Sequence, residues 1–184
     1  MRLLWRHVII STRSVWLHGD QRGFRSRGHR IHSSGDYKNP PPKGEHAGLW
    51  RYHKARSMEP IVIKDVRDRE TIVREFVLKL RSLGYVAIAV SMSRTHLHAL
   101  VESPYELTET KKIIGQCKQA CSLRVSIDGR VWGEGGKFEV ARDKAHLHNS
   151  YNYIREKQDS GTVVWSHRED ENWIDLDVPV KVMK

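Results

Sequence analysis

The run Thr95-His96-Leu97-His98-Ala99-Leu100-Val101-Glu102 sets two imidazoles one residue apart in an alternating pattern. As a strand it puts His96, His98 and Leu100 on one face and Leu97, Ala99 and Val101 on the other. Same-face neighbours stand about 7 Å apart along the backbone, close enough for both imidazoles to converge on one cation. The second reactive candidate is a tyrosine. Leu147, Tyr151 and Ile154 fall at i, i+4 and i+7 on one apolar stripe, which makes Tyr151 a core residue. Tyr153 points about 200° around the helix from Tyr151 at 3.6 residues per turn. Its face carries His146, Asn149, Glu156 and Lys157. There a tyrosine can act as a nucleophile, as a stacking platform or as an ordinary surface residue, and a bare His-x-His can equally be two polar residues on the wet side of a sheet.

The elements that must position these groups follow from periodicity. Residues Arg6 to Leu17, β-branched and aromatic without Pro or Gly, read as a first strand. In Arg69 to Leu83 the set Ile72, Val73, Phe76, Val77, Leu80 and Leu83 repeats at three and four, and Gly84 supplies the stop. Tyr85 to Met92 reads as a central strand, joined by Ser93-Arg94 to the histidine strand as a hairpin. Leu107 to Thr110 offers a cap before a helix from Lys111 to about Arg124, with Ile113, Ile114, Cys117, Ala120 and Cys121 as its buried stripe. Val131-Trp132 and Lys137 to Ala141 read as strand around Gly133-Glu134-Gly135-Gly136, and Asp143 caps a last helix reaching about Gln158. The tail at 162–184 has no clear assignment beyond a strand plus a surface arm. This order predicts an α+β fold, a ferredoxin-like or RRM-like sandwich around a central antiparallel sheet, with helices on one face and the histidines on the open face.

Composition bounds the partners. The 184 residues make one domain the working prior, and Lys plus Arg exceed Asp plus Glu, giving a net charge of +10 that favours a polyanion. Cys117 and Cys121 are one helical turn apart, better placed as core residues than as a disulfide, so a reduced, cytoplasmic protein is expected. No stretch approaches the roughly twenty apolar residues of a membrane span. From about 18 to 59 the apolar residues are too sparse for a helix or a long strand, and the segment reads as an inserted basic loop. Its Arg22, Arg25, Arg27 and Arg30, interleaved with Phe24, Tyr37, Trp50 and Tyr52, suit a nucleic-acid strand, as do Lys111, Lys112 and Lys118 on the polar faces of the helix from Lys111 to about Arg124.

Taken jointly, His96-Leu97-His98, the Gly-led strand from Gly84 to Met92 before it, Tyr153-Ile154-Arg155 in a late helix, and Trp16-Leu17-His18-Gly19-Asp20-Gln21-Arg22-Gly23 after the first strand carry a resemblance. Over roughly residues 5 to 165 the chain resembles the single-tyrosine HUH transposases, most closely the IS200-like and REP-associated tyrosine transposases. The resemblance implies that His96 and His98 hold Mg2+ or Mn2+, and that Tyr153 attacks a phosphate of single-stranded DNA at hairpin or palindromic ends. It implies a 5′-phosphotyrosine intermediate and a homodimer. Where the family carries Gln or Asn one turn after the tyrosine, this chain has Lys157, flanked by Glu156 and Gln158. A protonated lysine cannot ligate a cation, so Gln158, Glu156 or water would complete the site. The alternative is a catalytically inactive, repurposed DNA- or RNA-binding protein of the same fold.

Overall fold

The computed structural model of the chain describes residues 2–24, 32–35 and 39–167. Arg25, Arg27 and Arg30, and the tail beyond His167, lie outside the described residues. The chain divides into two compact units, one of Met1–Ser11 with Val62–Lys184 and one of Thr12–Ile61.

The first unit is built on an antiparallel sheet of five strands: β1 (Leu3–Ser11), β2 (Ala87–Met92), β3 (His96–Pro104), β4 (Lys137–Val140) and β5 (Val163–Ser166), in the order β4-β1-β3-β2-β5. The predicted α+β class and the β2–β3 hairpin are therefore observed. The first strand stops at Ser11, short of Leu17, and Ser14 adopts a left-handed φ of 60° just beyond it. Trp132 makes only an isolated bridge, so the strand expected at Val131-Trp132 is not formed.

Helix α2 (Val66–Ser82) starts where the Asp65 carboxylate accepts the Arg67 N–H, and it buries the expected Ile72, Val73, Phe76, Val77 and Leu80. Gly84, at φ 80°, follows its end. Helix α3 (Leu107–Ser122) begins four residues earlier than expected and buries Ile113, Ile114, Cys117 and Cys121 against α2, where the Cys121 thiol meets the Ile72 carbonyl at 3.3 Å. Both cysteines are free thiols, and burial pushes Cys117 up to about 12. The alternation of β3 puts Leu97, Ala99 and Val101 on the face that these two helices cover, all fully buried.

The opposite face is not fully open. Helix α4 (Lys144–Glu156) is capped by Asp143, which accepts the His146 N–H at 2.7 Å, and it lies on the histidine-bearing face. Its Ile154 forms a buried cluster with Ala89 and Leu100, against which Leu147, Tyr151, Trp5 and Ile88 pack. The expectation of helices on one side alone is corrected accordingly: the apolar stripe Leu147/Tyr151/Ile154 needs a floor, and Leu100 with Ala89 supplies it. A bulge at Ile88 makes this possible by shifting register between Ala87, opposite Val101, and Ala89, opposite Leu100. At the other edge, Gly136 lets β4 approach β1 closely, since a Cβ there would lie 2.9 Å from both the Ile9 carbonyl oxygen and Ile10 Cγ2. Among the described residues no helix is long and apolar enough to cross a membrane.

The second unit corrects the reading of the inserted basic loop as too sparse in apolar residues for a helix, because Ala47–Arg56 is helical (α1). None of its residues is buried, which is why apolar periodicity gave no sign of it. Gly19, at φ 85°, sits against its first turn, where a Cβ would meet the Trp50 N–H nitrogen at 2.4 Å. Phe24 is buried and stacks on His18, 5.8 Å away, with His46 edge-on at 5.1 Å.

Candidate active site

Residues distant in sequence meet on the histidine-bearing face of the first unit. The His96 and His98 rings are 4.9 Å apart and edge-to-face. The Tyr153 ring lies 5.5 Å from that of His98, so the two groups that strand alternation and the helical wheel separately selected are brought together. Tyr153 is 39% exposed, whereas Tyr151 packs inward with a buried hydroxyl that has no hydrogen-bond partner. His98 differs from the expectation of a wet sheet face: it is 4% exposed, because α4 and its neighbours cover it.

A third imidazole completes the group. His7 of β1 is buried, its Nε2 stands 2.9 Å from His98 Nδ1, and its ring lies 6.0 Å from that of Tyr153. The sequence reading missed it. Its only signal was a histidine beside Arg6 in a mostly apolar strand, and the β1–β3 register, His7 opposite Leu100 and Ile9 opposite His98, is what makes it a neighbour. His96 is anchored from the turn before β3: its Nδ1 is 3.0 Å from Ser93 Oγ and 3.2 Å from Thr95 Oγ1. That same Ser93 hydroxyl accepts the backbone N–H groups of Thr95 and His96.

Burial removes water from the imidazolium forms of His98 and His7 and so favours their neutral rings. It pushes His98 down to about 3, with the neighbouring His96, His7 and Lys137 acting in the same direction. It pushes His7 down to about 4, opposed by Glu139.

Neutral rings with Nδ1 already engaged are the state in which histidines ligate metals. Ser91, opposite His98 on β2, adds a buried hydroxyl without a partner on the same face. His96 and His98 thus fit a cation as two of its ligands. Among the described residues no group of three His, Cys, Asp or Glu side chains forms a metal cage. Gln158 donates to the Tyr153 carbonyl at 2.8 Å, which closes the end of α4, and Lys157 is the C-cap residue. Further ligands would therefore come from water or from phosphate oxygens.

The basic residues selected from sequence scatter. Arg22 is tied to Asp20 by a 2.6 Å ion pair, donates to the Val15 carbonyl and lies 4.2 Å above the Trp16 ring, which fixes the turn of the second unit. Lys111 is exposed on α3, Lys112 pairs with Glu109 at 2.7 Å, and Lys118 donates to the Gly133 carbonyl inside a cleft of about 310 Å³ shared with Arg130 and Trp132. Burial lowers the Lys118 ammonium from its ordinary value. Tyr52, selected from sequence, lies on the solvent-facing side of α1 beside Arg51, Ala55 and Arg56, which sequence reasoning passed over; all four are exposed and the Arg56 guanidinium lies 3.8 Å above the Tyr52 ring.

The fold and site together define a class: an α+β protein with a five-stranded antiparallel sheet whose central strands and fourth helix bring three histidines and a tyrosine to one place. No protein-family model matches the chain. No curated protein matches it either. Among solved structures it is similar to a REP-associated tyrosine transposase bound to a REP hairpin, at 11% identity and a TM-score of 0.39. The similarity covers 82% of this chain and 64% of that one, so this chain spans less than two thirds of that chain's length.

Proposed function

We propose that this chain cleaves and rejoins single-stranded DNA through Tyr153, at hairpin or palindromic ends of the kind the sequence resemblance implies. The observation that carries the reading is the approach of the half-exposed Tyr153 ring to within 5.5 Å of the buried His98 ring. The Tyr153 oxygen attacks phosphorus, the bond from phosphorus to the 3′ oxygen breaks, and the 5′ phosphate remains on the tyrosine. The phenol proton leaves to solvent or to a neutral imidazole, and the departing 3′ oxygen takes up one proton. Rejoining is the reverse attack by a 3′ hydroxyl. Tyrosine suits both directions, because a phenolate with a reference pKa of about 10 leaves phosphorus more readily than an alkoxide. His96 and His98 would hold the Mg2+ or Mn2+ ion, which when bound supplies charge stabilisation to the phosphate oxygens. Both rings are anchored at Nδ1, His98 by His7 and His96 by Ser93, which holds them in place to do so.

In the second unit, Tyr52 and Trp50 on α1 present 53% and 39% of their surface on the helix that carries Arg51 and Arg56, and bases can stack there while the guanidinium groups meet phosphates. Homodimer formation is part of the same proposal, and its measure is the mass of the purified protein by light scattering.

The test is incubation with labelled single-stranded hairpin DNA and Mn2+, followed by denaturing electrophoresis. A protein–DNA adduct that disappears in Tyr153→Phe supports the reading. Cleavage that persists in that variant sinks it. The second reading, binding without catalysis, is favoured by one observation: Gln158 is committed to the Tyr153 carbonyl and Lys157 occupies the adjoining cap. Retention of DNA without adduct across varied hairpins is the outcome that would select it.

A further inference from the structure

We propose that Glu139, His7 and His98, on the adjacent strands β4, β1 and β3, form a positioning row that holds His98 with its proton on Nδ1 and its lone pair on Nε2. The row is written in the register. His7 pairs directly with Glu139 across β1–β4, so their side chains share a face. On the other side of β1, His7 reaches diagonally to His98, where Nε2 and Nδ1 stand 2.9 Å apart. Because β1 lies between β4 and β3, the His7 ring has the carboxylate strand on one flank and His98 on the other.

Two neutral imidazoles joined nitrogen to nitrogen share a single proton. Were it on His7 Nε2, His98 would carry its own proton on Nε2, the nitrogen through which it must act. With the shared proton on His98 Nδ1, His7 accepts at Nε2 and keeps its proton on Nδ1. A negative charge on the β4 flank selects the second arrangement, because it draws the His7 proton away from His98. The Glu139 carboxyl is held below its ordinary value chiefly by Lys137, whose ammonium meets Oε2 at 2.7 Å, so it is ionised at neutral pH. Of the charges acting on His7, that of Glu139 is the largest single one, with Lys137 and His146 opposing it.

The inference rests on the proposed function in one respect: a lone pair on His98 Nε2 is what either a bound cation or a departing phenol proton requires. It is read out without DNA. Long-range nitrogen–proton NMR of 15N-labelled protein, with His98 assigned by the signals lost in His98→Gln, reports the tautomer directly. The expected result is the Nδ1–H form in the native chain. In His7→Phe, His98 reverts to the Nε2–H form or to a mixture, while in His7→Gln, whose amide oxygen can take the place of the imidazole Nε2, it stays Nδ1–H. Glu139→Gln, a change at a strand edge that spares the core, shifts the population toward Nε2–H and serves where His7→Phe does not fold. Mn2+ affinity by calorimetry should fall about 10- to 100-fold in His7→Phe and recover in His7→Gln. An Nε2–H signal for His98 in the native chain, or a tautomer and Mn2+ affinity indifferent to both His7 and Glu139, overturns the row. If the native protein shows the Nδ1–H form and the variant effects yet forms no DNA adduct, the proposed function falls and the row stands.

Discussion

At the scale of the residue, two tyrosines two positions apart on α4 have opposite fates, and the difference is testable in one pair of variants. Tyr151 packs on the Ala89/Leu100/Ile154 cluster with its hydroxyl buried and without a partner. Removing that hydroxyl in Tyr151→Phe is expected to leave adduct formation intact and to raise stability by about 1 kcal/mol in thermal unfolding, since a stranded buried hydroxyl costs more than it returns. Tyr153→Phe is expected to do the reverse, with unchanged unfolding and no adduct. The wheel separated these residues correctly because α4 is amphipathic. The buried histidines bear on pH. In the unfolded chain they titrate near 6.5, whereas burial holds folded His7 near 4 and His98 near 3. The unfolded state therefore binds protons first, and stability present above about pH 6.5 is lost as pH falls toward 4, at up to about 1.4 kcal/mol per unit for each ring. Chemical unfolding between pH 7 and 4.5 should show this fall, and His7→Gln should lessen it, leaving the part due to His98.

At the scale of the element, what was legible depended on periodicity. Helices α2 and α4, the β2–β3 hairpin and the capping by Asp143 followed from apolar stripes and turn residues, because each of those elements buries one face. Helix α1 buries nothing, so its sequence carries no stripe to read. What holds against it is a close approach: Gly19 touches it where no side chain would fit. The covering of His98 by α4 was hidden for another reason, since a strand's alternation names two faces without saying what lies on each. For α1 the expected outcome is a separation of binding from stability. Replacing Tyr52 and Arg56 by Ala should weaken single-stranded DNA binding about tenfold, within the 1–3 kcal/mol that one stacked base contributes. The melting temperature should hold, because neither side chain is buried. Unchanged affinity by fluorescence anisotropy would remove α1 from the binding surface.

At the scale of the whole molecule, the surplus of basic side chains, +10, makes ionic strength the governing variable for any polyanion. The logarithm of the DNA affinity should fall with the logarithm of salt at about −0.7 per phosphate contact, and a salt-independent affinity would argue against a nucleic-acid ligand. Charge was visible in the sequence from the start, but its distribution was not: Arg22 and Lys118, chosen as contacts, are spent on carbonyl and carboxylate partners. His7 was equally invisible, because only strand order makes β1 the neighbour of both β3 and β4.

That order gives the tight approach at Gly136 a consequence for how such a centre can change. The first turn into β4 has no room for even one methyl group beside Ile9 and Ile10, so Gly136→Ala must pry the margin of the sheet outward and carry Glu139 away from His7. The proposed row can thus be retuned from a residue that bears no functional group, by a mechanical adjustment at the rim rather than by editing the chemistry at the middle.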